Sequence, residues 1–525
     1  MKRPLLSLVC SAAVFGSAIA VADTATEAQN LLNQRCSACH ARLPDGGLAR
    51  ISQMRKTPEG WDMTLVRMRI WHGVKLSSEE QQTLVQYLAD RQGLAPAESA
   101  PFRYALERRP NAVEPDYGEL GVMCARCHSF ARLGLQHRDR EEWIKLVHMH
   151  VGQWPTIEYS ALGRDRNWFE IAIGETAKAL GEQLPLATEA WQSWSKDTHK
   201  SPEGTWRIVG HQPGAGDFHG SASVSRDGEG YRVQYRLSYV DGSTVEGAGT
   251  ASLYTGYEWR GASRVGDEHW REVLALSADG RRIAGRVFRA DADEIGADIQ
   301  GVRSDGQPEI LAVTPGYLKA GQKATLTVHG IGLAGAVELG PDVTVGKVVS
   351  RSADSVTVEA EAAADAAAGA RSVAVGDTRR DAALVVYSRL DSVRIEPDYA
   401  LGRVGGGSTP PVTAQFEAVG YLNGPDGQPG TEDDVRVGVF PAEWSTADFN
   451  EAAAEMKDAH YAGRIDPRLG LFIPAGAGPN PERKYGTNNA GDLKVVAKVA
   501  DGERTLEGSG RLIVTVQRWN DPPIR

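Results

Sequence analysis

The chain has 525 residues, with 68 acidic side chains against 58 Lys and Arg, and a formal net charge of −10. An acidic balance of this size argues against nucleic acid and against anionic membranes as partners. The length exceeds one hydrophobic core and predicts a division into three or four domains.

The first element is an export signal. Lys2 and Arg3 precede an apolar run from Leu5 to Val21, and Ala20-Val21-Ala22 fits the small-x-small rule for cleavage. Residues 1–22 therefore read as a secretory signal peptide too short for a membrane span, with the mature chain starting near Asp23. Cys10 lies inside the apolar run behind Val9, where a lipoprotein would need a small residue. Loss of Lys2 and Arg3 takes the net charge from −10 to −12. No later segment approaches ~18 uncharged apolar residues, so the expected product is exported and soluble.

Next come two copies of one motif, Cys36-Ser-Ala-Cys39-His40 and Cys124-Ala-Arg-Cys127-His128, which use four of the five cysteines. C-x-x-C-H is the attachment signature of c-type haem. Two thiols three positions apart add to the two porphyrin vinyl groups, and the adjacent histidine becomes the proximal iron ligand. Zinc would need four ligands converging from the two pairs, and no histidine immediately after each. The motifs predict two covalent haems c, with Cys36, Cys39, Cys124 and Cys127 as tethers and His40 and His128 as iron ligands. Haem c is attached outside the bacterial cytoplasm, so motif and export signal both point to the periplasm.

Six of the 12 histidines lie between His40 and His150, and five of the six methionines after Met1 lie between Met54 and Met149. These are the side chains that serve as sixth haem ligands. The region looks helical: Glu80 to Leu88 reads as an amphipathic helix ending near Gly93, and Asp165 to Leu180 as another. It also reads as an internal duplication. Gly60-Trp61 to His72 follows the first motif, and Glu142-Trp143 to His150 follows the second. Aligning Trp61 with Trp143 sets Met68 opposite His150, each two helical turns beyond its tryptophan. Met68 and His150 are thus the expected sixth ligands, with Met54, Met63 and His72 competing in the first half and His137 and His148 in the second. Met/His ligation raises a haem potential relative to bis-His, so the halves should differ in potential.

From about Ser201 the pattern changes to strands. Tyr231–Leu237 and Lys323–Val328 alternate, and Asp227-Gly228, Asp241-Gly242 and Asp279-Gly280 mark turns. Thr205 to about Val302 holds enough hairpins for an antiparallel barrel or sandwich. Val313-x-Pro315, Ala320-Gly321 and Leu326-x-Val328-x-Gly330-x-Gly332-Leu333 resemble an immunoglobulin-like domain closing near Tyr387. The last unit carries Pro- and Gly-rich loops at Gly405–Pro411 and Ala475–Tyr485. The expected organisation is multidomain: 23–195, a mainly α dihaem cytochrome c domain, then three all-β domains at 201–304 (barrel or sandwich), 306–388 (immunoglobulin-like sandwich) and 390–525. No nucleophile, metal box or phosphate loop stands out in the β-domains, which read as scaffold and docking surface. The acidic loop Asn423 to Asp434, with Asp426, Glu432, Asp433 and Asp434, has oxygen ligands spaced for calcium, but a solvated hairpin tip has the same composition.

With these residues in hand the chain resembles the large dihaem subunit of the quinohemoprotein amine dehydrogenases over its whole mature length. The strongest pieces are Cys36 to Gly47, Arg55-Lys-Thr-Pro-Glu-Gly-Trp-Asp-Met63, Tyr87 to Pro96 and Cys124-x-x-Cys-His-Ser129. The resemblance implies a heterotrimer with a β-propeller subunit and a very small subunit carrying a cysteine tryptophylquinone cofactor. It implies that a primary amine reduces that quinone, and that electrons leave through the haems of this chain to a periplasmic copper protein or cytochrome c. Amine chemistry would then lie outside this chain, which would supply no catalytic residue. A peroxidase-like dihaem enzyme and a free-standing electron carrier with β binding modules are the alternative readings.

Overall fold

The structure, a computed structural model, describes residues 25–157, 167–406 and 409–516. The export signal with Cys10, the start of the helix expected from Asp165, and part of the Gly405–Pro411 loop lie outside the described residues. The chain forms two compact units. The first comprises the described parts of Met1–Leu106 and Glu114–Thr198 together with Leu253–Tyr257; the second comprises Glu107–Val113, His199–Ser252 and Glu258–Arg525.

The first unit is helical and carries the duplication in its backbone. Strand β1 (Met54–Lys56) leads into helix α1 (Pro58–Trp71), which precedes helix α2 (Ser78–Arg91). Strand β2 (Gln136–Arg138) leads in the same way into helix α3 (Arg140–Gln153), and helix α4 (Ala177–Gln183) closes the second half. The two short strands pair antiparallel with Arg55 opposite His137, so equivalent residues of the halves face each other across a local two-fold axis. Both long helices start from a side-chain cap: Thr57 Oγ1 accepts from Gly60 N at 3.3 Å, and Asp139 Oδ1 from Glu142 N at 2.8 Å. Such a cap satisfies one orphan N–H of the first turn. Each helix then buries its tryptophan, Trp61 or Trp143, at 1% exposure in a separate core.

The helix expected over Glu80–Leu88 is α2, held at its start by a Ser77/Glu80 capping box. The segment expected to run to Leu180 is not one regular helix. It starts from Asn167 as a cap, passes through a π-helical turn at Ala172–Thr176, and ends at Gln183. The π turn is a local underwinding that periodicity of apolar residues does not report.

In the second unit eight strands, from Gly204–Gln212 to Gly296–Arg303, close into a barrel because the first strand pairs with the last. The expected turns are there, with Gly228, Gly242 and Gly280 at positive φ after their aspartates. The next region is a sandwich of two four-stranded sheets, whose final strand runs Thr378–Tyr387. The last β-region combines sheets of three, four and three strands around a core that includes Phe416, Trp444 and Phe472. A helical N-terminal domain thus precedes three β-rich domains. Among the described residues no helix is long and apolar enough to cross a membrane.

Candidate haem sites

The first motif follows a helical turn ending at Cys36, and Cys39 N and His40 N both donate to Cys36 O, at 3.1 and 2.9 Å. The second follows the helix Gly118–Cys124. In each pair the first cysteine is half-buried and the second exposed. Cys36 packs against the core of Trp61 and Leu65, and Cys124 against the core of Trp143 and Phe130. Burial, with a smaller contribution from Cys39, raises the Cys36 thiol pKa, and burial pushes Cys124 up to about 12. Both are therefore neutral thiols at neutral pH rather than reactive thiolates. Among the described residues no three His, Cys, Asp or Glu side chains converge as a metal cluster would require, so the two pairs do not form one zinc site.

Both motif histidines are held by a carbonyl. His40 Nδ1–H donates to Ala49 O and His128 Nδ1–H to Ser129 O, each at 2.9 Å. A carbonyl only accepts, so Nδ1 carries the proton and the Nε2 lone pair is left for a metal. The acceptors differ in kind. Ala49 closes a loop in which Ala49 N donates back to Ala41 O at 2.8 Å. Ser129 is the neighbouring residue, and its position is fixed by Glu114, which accepts from Phe130 N at 2.9 Å and Ala131 N at 3.2 Å and is bonded by Tyr104. Although burial opposes it, these donors hold the Glu114 carboxyl below its usual range, so it stays charged beside His128.

Met68 and His150 each stand eleventh in their 14-residue helix and are half-buried. Met68 lies one turn beyond buried Leu65, on the same face as Trp61. His150 Nδ1–H donates to Leu146 O at 2.8 Å, again leaving Nε2 free. Burial pushes the His150 imidazole pKa down, and the charges of His128, Arg67 and Arg138 push in the same direction. His150 is therefore neutral, as ligation needs, and near enough to His128 for their charges to interact. The competitors sit differently. Met54 is in strand β1 within the core, Met63 is 45% exposed, and His72 is exposed at the end of α1. His137 is buried with Nδ1–H on Pro185 O at 2.8 Å, and exposed His148 meets Phe169 edge to face at 5.2 Å.

The motifs give no hint of the ribbon between the halves. Lys56 and Arg138, equivalent residues on one face of it, are each 4% exposed and lie over Trp61 and Trp143, at 5.4 and 5.6 Å from the ring centres. On the other face Arg55 forms a fork on Glu98, with two bonds of 2.8 Å. A basic residue five positions before each tryptophan was the available signal.

In the acidic loop expected to be a calcium site or a hairpin tip, the carboxylates close the loop on itself. Asp434 accepts from Gly430 N at 2.7 Å and from Arg394, and Asp433 from Asp426 N at 3.2 Å. In the barrel, buried Glu272 is similarly enclosed by Tyr235 and Trp259, at 2.9 and 2.8 Å.

Four family models match along the chain: the haem-binding region of the quinohemoprotein amine dehydrogenase alpha subunit over 26–191, its domain II over 199–304, domain III over 307–388 and domain IV over 393–524. The chain belongs to the quinohemoprotein amine dehydrogenase alpha-subunit family. This alpha-subunit assignment makes it a haem-binding subunit of an oxidoreductase complex. No curated protein sequence matches the chain. Among solved structures, the redesigned beta barrel mFAP1 bound to DFHBI is similar at 14% identity, over 19% of this chain and 90% of that one, with a TM-score of 0.17. Domains 5–6 of the S-layer protein SbsC match at 14% identity over 40% of this chain and 99% of that one, TM-score 0.16. A Bacteroides ovatus glucan-utilisation protein, SGBP-B, matches at 11% over 42% and 51%, TM-score 0.19. Likenesses at these scores bear on neither fold nor function.

Proposed function

We propose that the chain is the periplasmic dihaem electron-transfer subunit of an amine dehydrogenase of this family. The observation that carries the reading is the coincidence of two intact C-x-x-C-H motifs with a duplicated fold inside the haem-binding region. The residues fit covalent haem: each motif offers two thiols and a histidine whose Nδ1 proton is already committed to a carbonyl. Cys36 and Cys39 tether one haem and Cys124 and Cys127 the other, with His40 and His128 as proximal ligands. Met68 and His150 are the proposed sixth ligands, supported by their matched helix positions. When bound, the two haems supply one-electron redox chemistry. The thioether at Met68 and the imidazole at His150 give the halves unequal affinity for an electron, which sets a direction.

In this reading a primary amine is oxidised at a tryptophylquinone in a small partner subunit. A β-propeller subunit completes the heterotrimer, and electrons leave to a copper protein or cytochrome c. The enclosed carboxyls at Glu272 and Asp434 support keeping amine chemistry out of the β-domains, since their oxygens are taken by the chain's own donors. Domain boundaries at 23–195, 201–304, 306–388 and 390–525, and export through residues 1–22, belong to the same proposal. The test is gentle purification from native periplasm, identification of co-eluting chains by mass spectrometry, and amine addition. Two further subunits and amine-dependent haem reduction are expected. A chain that elutes alone contradicts the reading.

A further inference from the structure

The two faces of the β1–β2 ribbon are not equally balanced in charge. On one face Arg55 meets Glu98, and both side chains are nearly fully buried, at 4% and 6% exposure. On the other face lie two buried cations, Lys56 and Arg138; fully buried Glu142 acts on both, and Asp139 acts on Arg138 as well. Glu142 is already shared: Lys145 Nζ stands at 2.6 Å, Arg50 Nε at 3.5 Å and Arg138 Nη1 only at 4.0 Å. Arg67 and Arg50 add further positive charge around both Lys56 and Arg138. Among the described residues Lys56 Nζ hydrogen-bonds only the neutral hydroxyl of Thr64, at 2.7 Å. A buried cation short of counter-charge costs several kcal/mol, and among the described residues this face holds more positive than negative charge.

A second observation comes from the duplication. In the first half Gln92 O accepts from both Lys56 N and Trp61 Nε1, at 2.9 and 3.1 Å. The equivalent carbonyl of the second half, Leu184 O, accepts from Arg138 N at 3.1 Å. Among the described residues Trp143 Nε1 has no acceptor, although the residue is 1% exposed. A buried donor left unmade costs about 1–3 kcal/mol. Trp143 shares its core with Cys124, and Arg138 lies over its ring, so the orphan donor and the excess cation belong to one place on the second-haem side.

We propose that Trp143, Arg138 and Lys56 form a carboxylate-binding cradle for the propionates of the haem tethered at Cys124 and Cys127. Lys56 reaches it across the two-fold from the first half, so one half of the duplication sets the redox poise of the other. The inference rests on the haem reading above. A cation beside the propionates disfavours the more positive ferric state and raises the potential of that haem.

The test uses the haem-loaded chain and spectroelectrochemical titration. Haem is counted first: a parent protein without two covalent haems fails the haem reading itself, not the cradle. With two haems present, Lys56→Met is expected to raise the ferric-to-ferrous ratio of one haem about tenfold at fixed applied potential, about 59 mV downward for one electron. Lys56→Arg should restore most of the shift. Trp143→Phe should move the same haem in the same direction, whereas Trp61→Phe, whose N–H already has Gln92 O, should move neither. Trp143→Phe carries the test alone if the Lys56→Met protein does not accumulate. Dihaem Lys56→Met or Trp143→Phe protein with both potentials equal to the parent's overturns the cradle.

Discussion

At the residue scale the account turns on what each imidazole and thioether has left to offer after its own hydrogen bonds. His40, His128 and His150 each commit Nδ1 to a carbonyl at 2.8–2.9 Å, which fixes ring orientation and frees Nε2. Met68 has no such restraint and relies on the helix face. Replacing it by Ala should therefore abolish the weak near-infrared band of iron–sulfur ligation while leaving two haems attached. A band that survives Met68→Ala, or that His72→Ala removes instead, would refute the pairing of Met68 with His150. The proposed tethers and proximal ligands rest on a motif of five contiguous residues. Glu114 was not legible in the sequence: it lies 14 residues from His128, and only the fold brings its carboxylate to Phe130 N.

At the element scale the ribbon joining the halves is the least legible and most consequential feature. Three-residue strands carry too short a pattern to be seen in sequence, and nothing in the sequence marks Arg55, Lys56 and Arg138 as buried. Burial of these residues depends on pairing across 82 positions of chain, with Arg55 opposite His137. The helical faces joining Trp61 to Met68 and Trp143 to His150 were legible because the tryptophans recur at matching offsets, whereas the π turn at Ala172–Thr176 leaves no mark in the apolar spacing. Arg55 is the keystone of the balanced face. It bonds Glu98 twice and also donates to Gly93 O and Leu186 O, at 3.0 and 2.6 Å. Arg55→Ala should cost about 3–5 kcal/mol, because it leaves a buried carboxylate without its cation. Urea unfolding followed at the helical far-ultraviolet signal measures this, and a loss below 1 kcal/mol would show that the pair is dispensable.

At the scale of the whole molecule, two histidines of the β-unit make opposite demands on pH. Burial pushes His329, stacked on His219 at 4.1 Å, down to about 3, with His219 and Arg207 adding repulsion. Its folded pKa lies below the unfolded value near 6.5, so its contribution is whole above pH 6.5 and falls as pH drops toward 3. The loss is about 1.4 kcal/mol per pH unit in that window. His211 is the reverse case: although burial opposes it, Asp217 and Glu417 raise it to about 10, so its contribution is whole below pH 6.5 and fades as pH rises to about 10. Thermal melts between pH 6.5 and 5, where most carboxylates stay ionised, should therefore steepen in the parent and flatten in His329→Asn. Equal slopes would remove His329 as the cause. These contacts were not legible in the sequence, because alternation places a residue on a face of a strand but does not say which domain covers it.

We propose that this chain carries two covalent haems, one in each half of a duplicated domain. Acid–acetone extraction of the mature protein, followed by peptide mass mapping of the polypeptide, is the deciding measurement. The account predicts that the colour stays with the polypeptide, and that haem adducts map to the Cys36–Cys39 and Cys124–Cys127 peptides, one on each. A chromophore that extracts into the solvent, or free thiols at either pair in the mature protein, would contradict it.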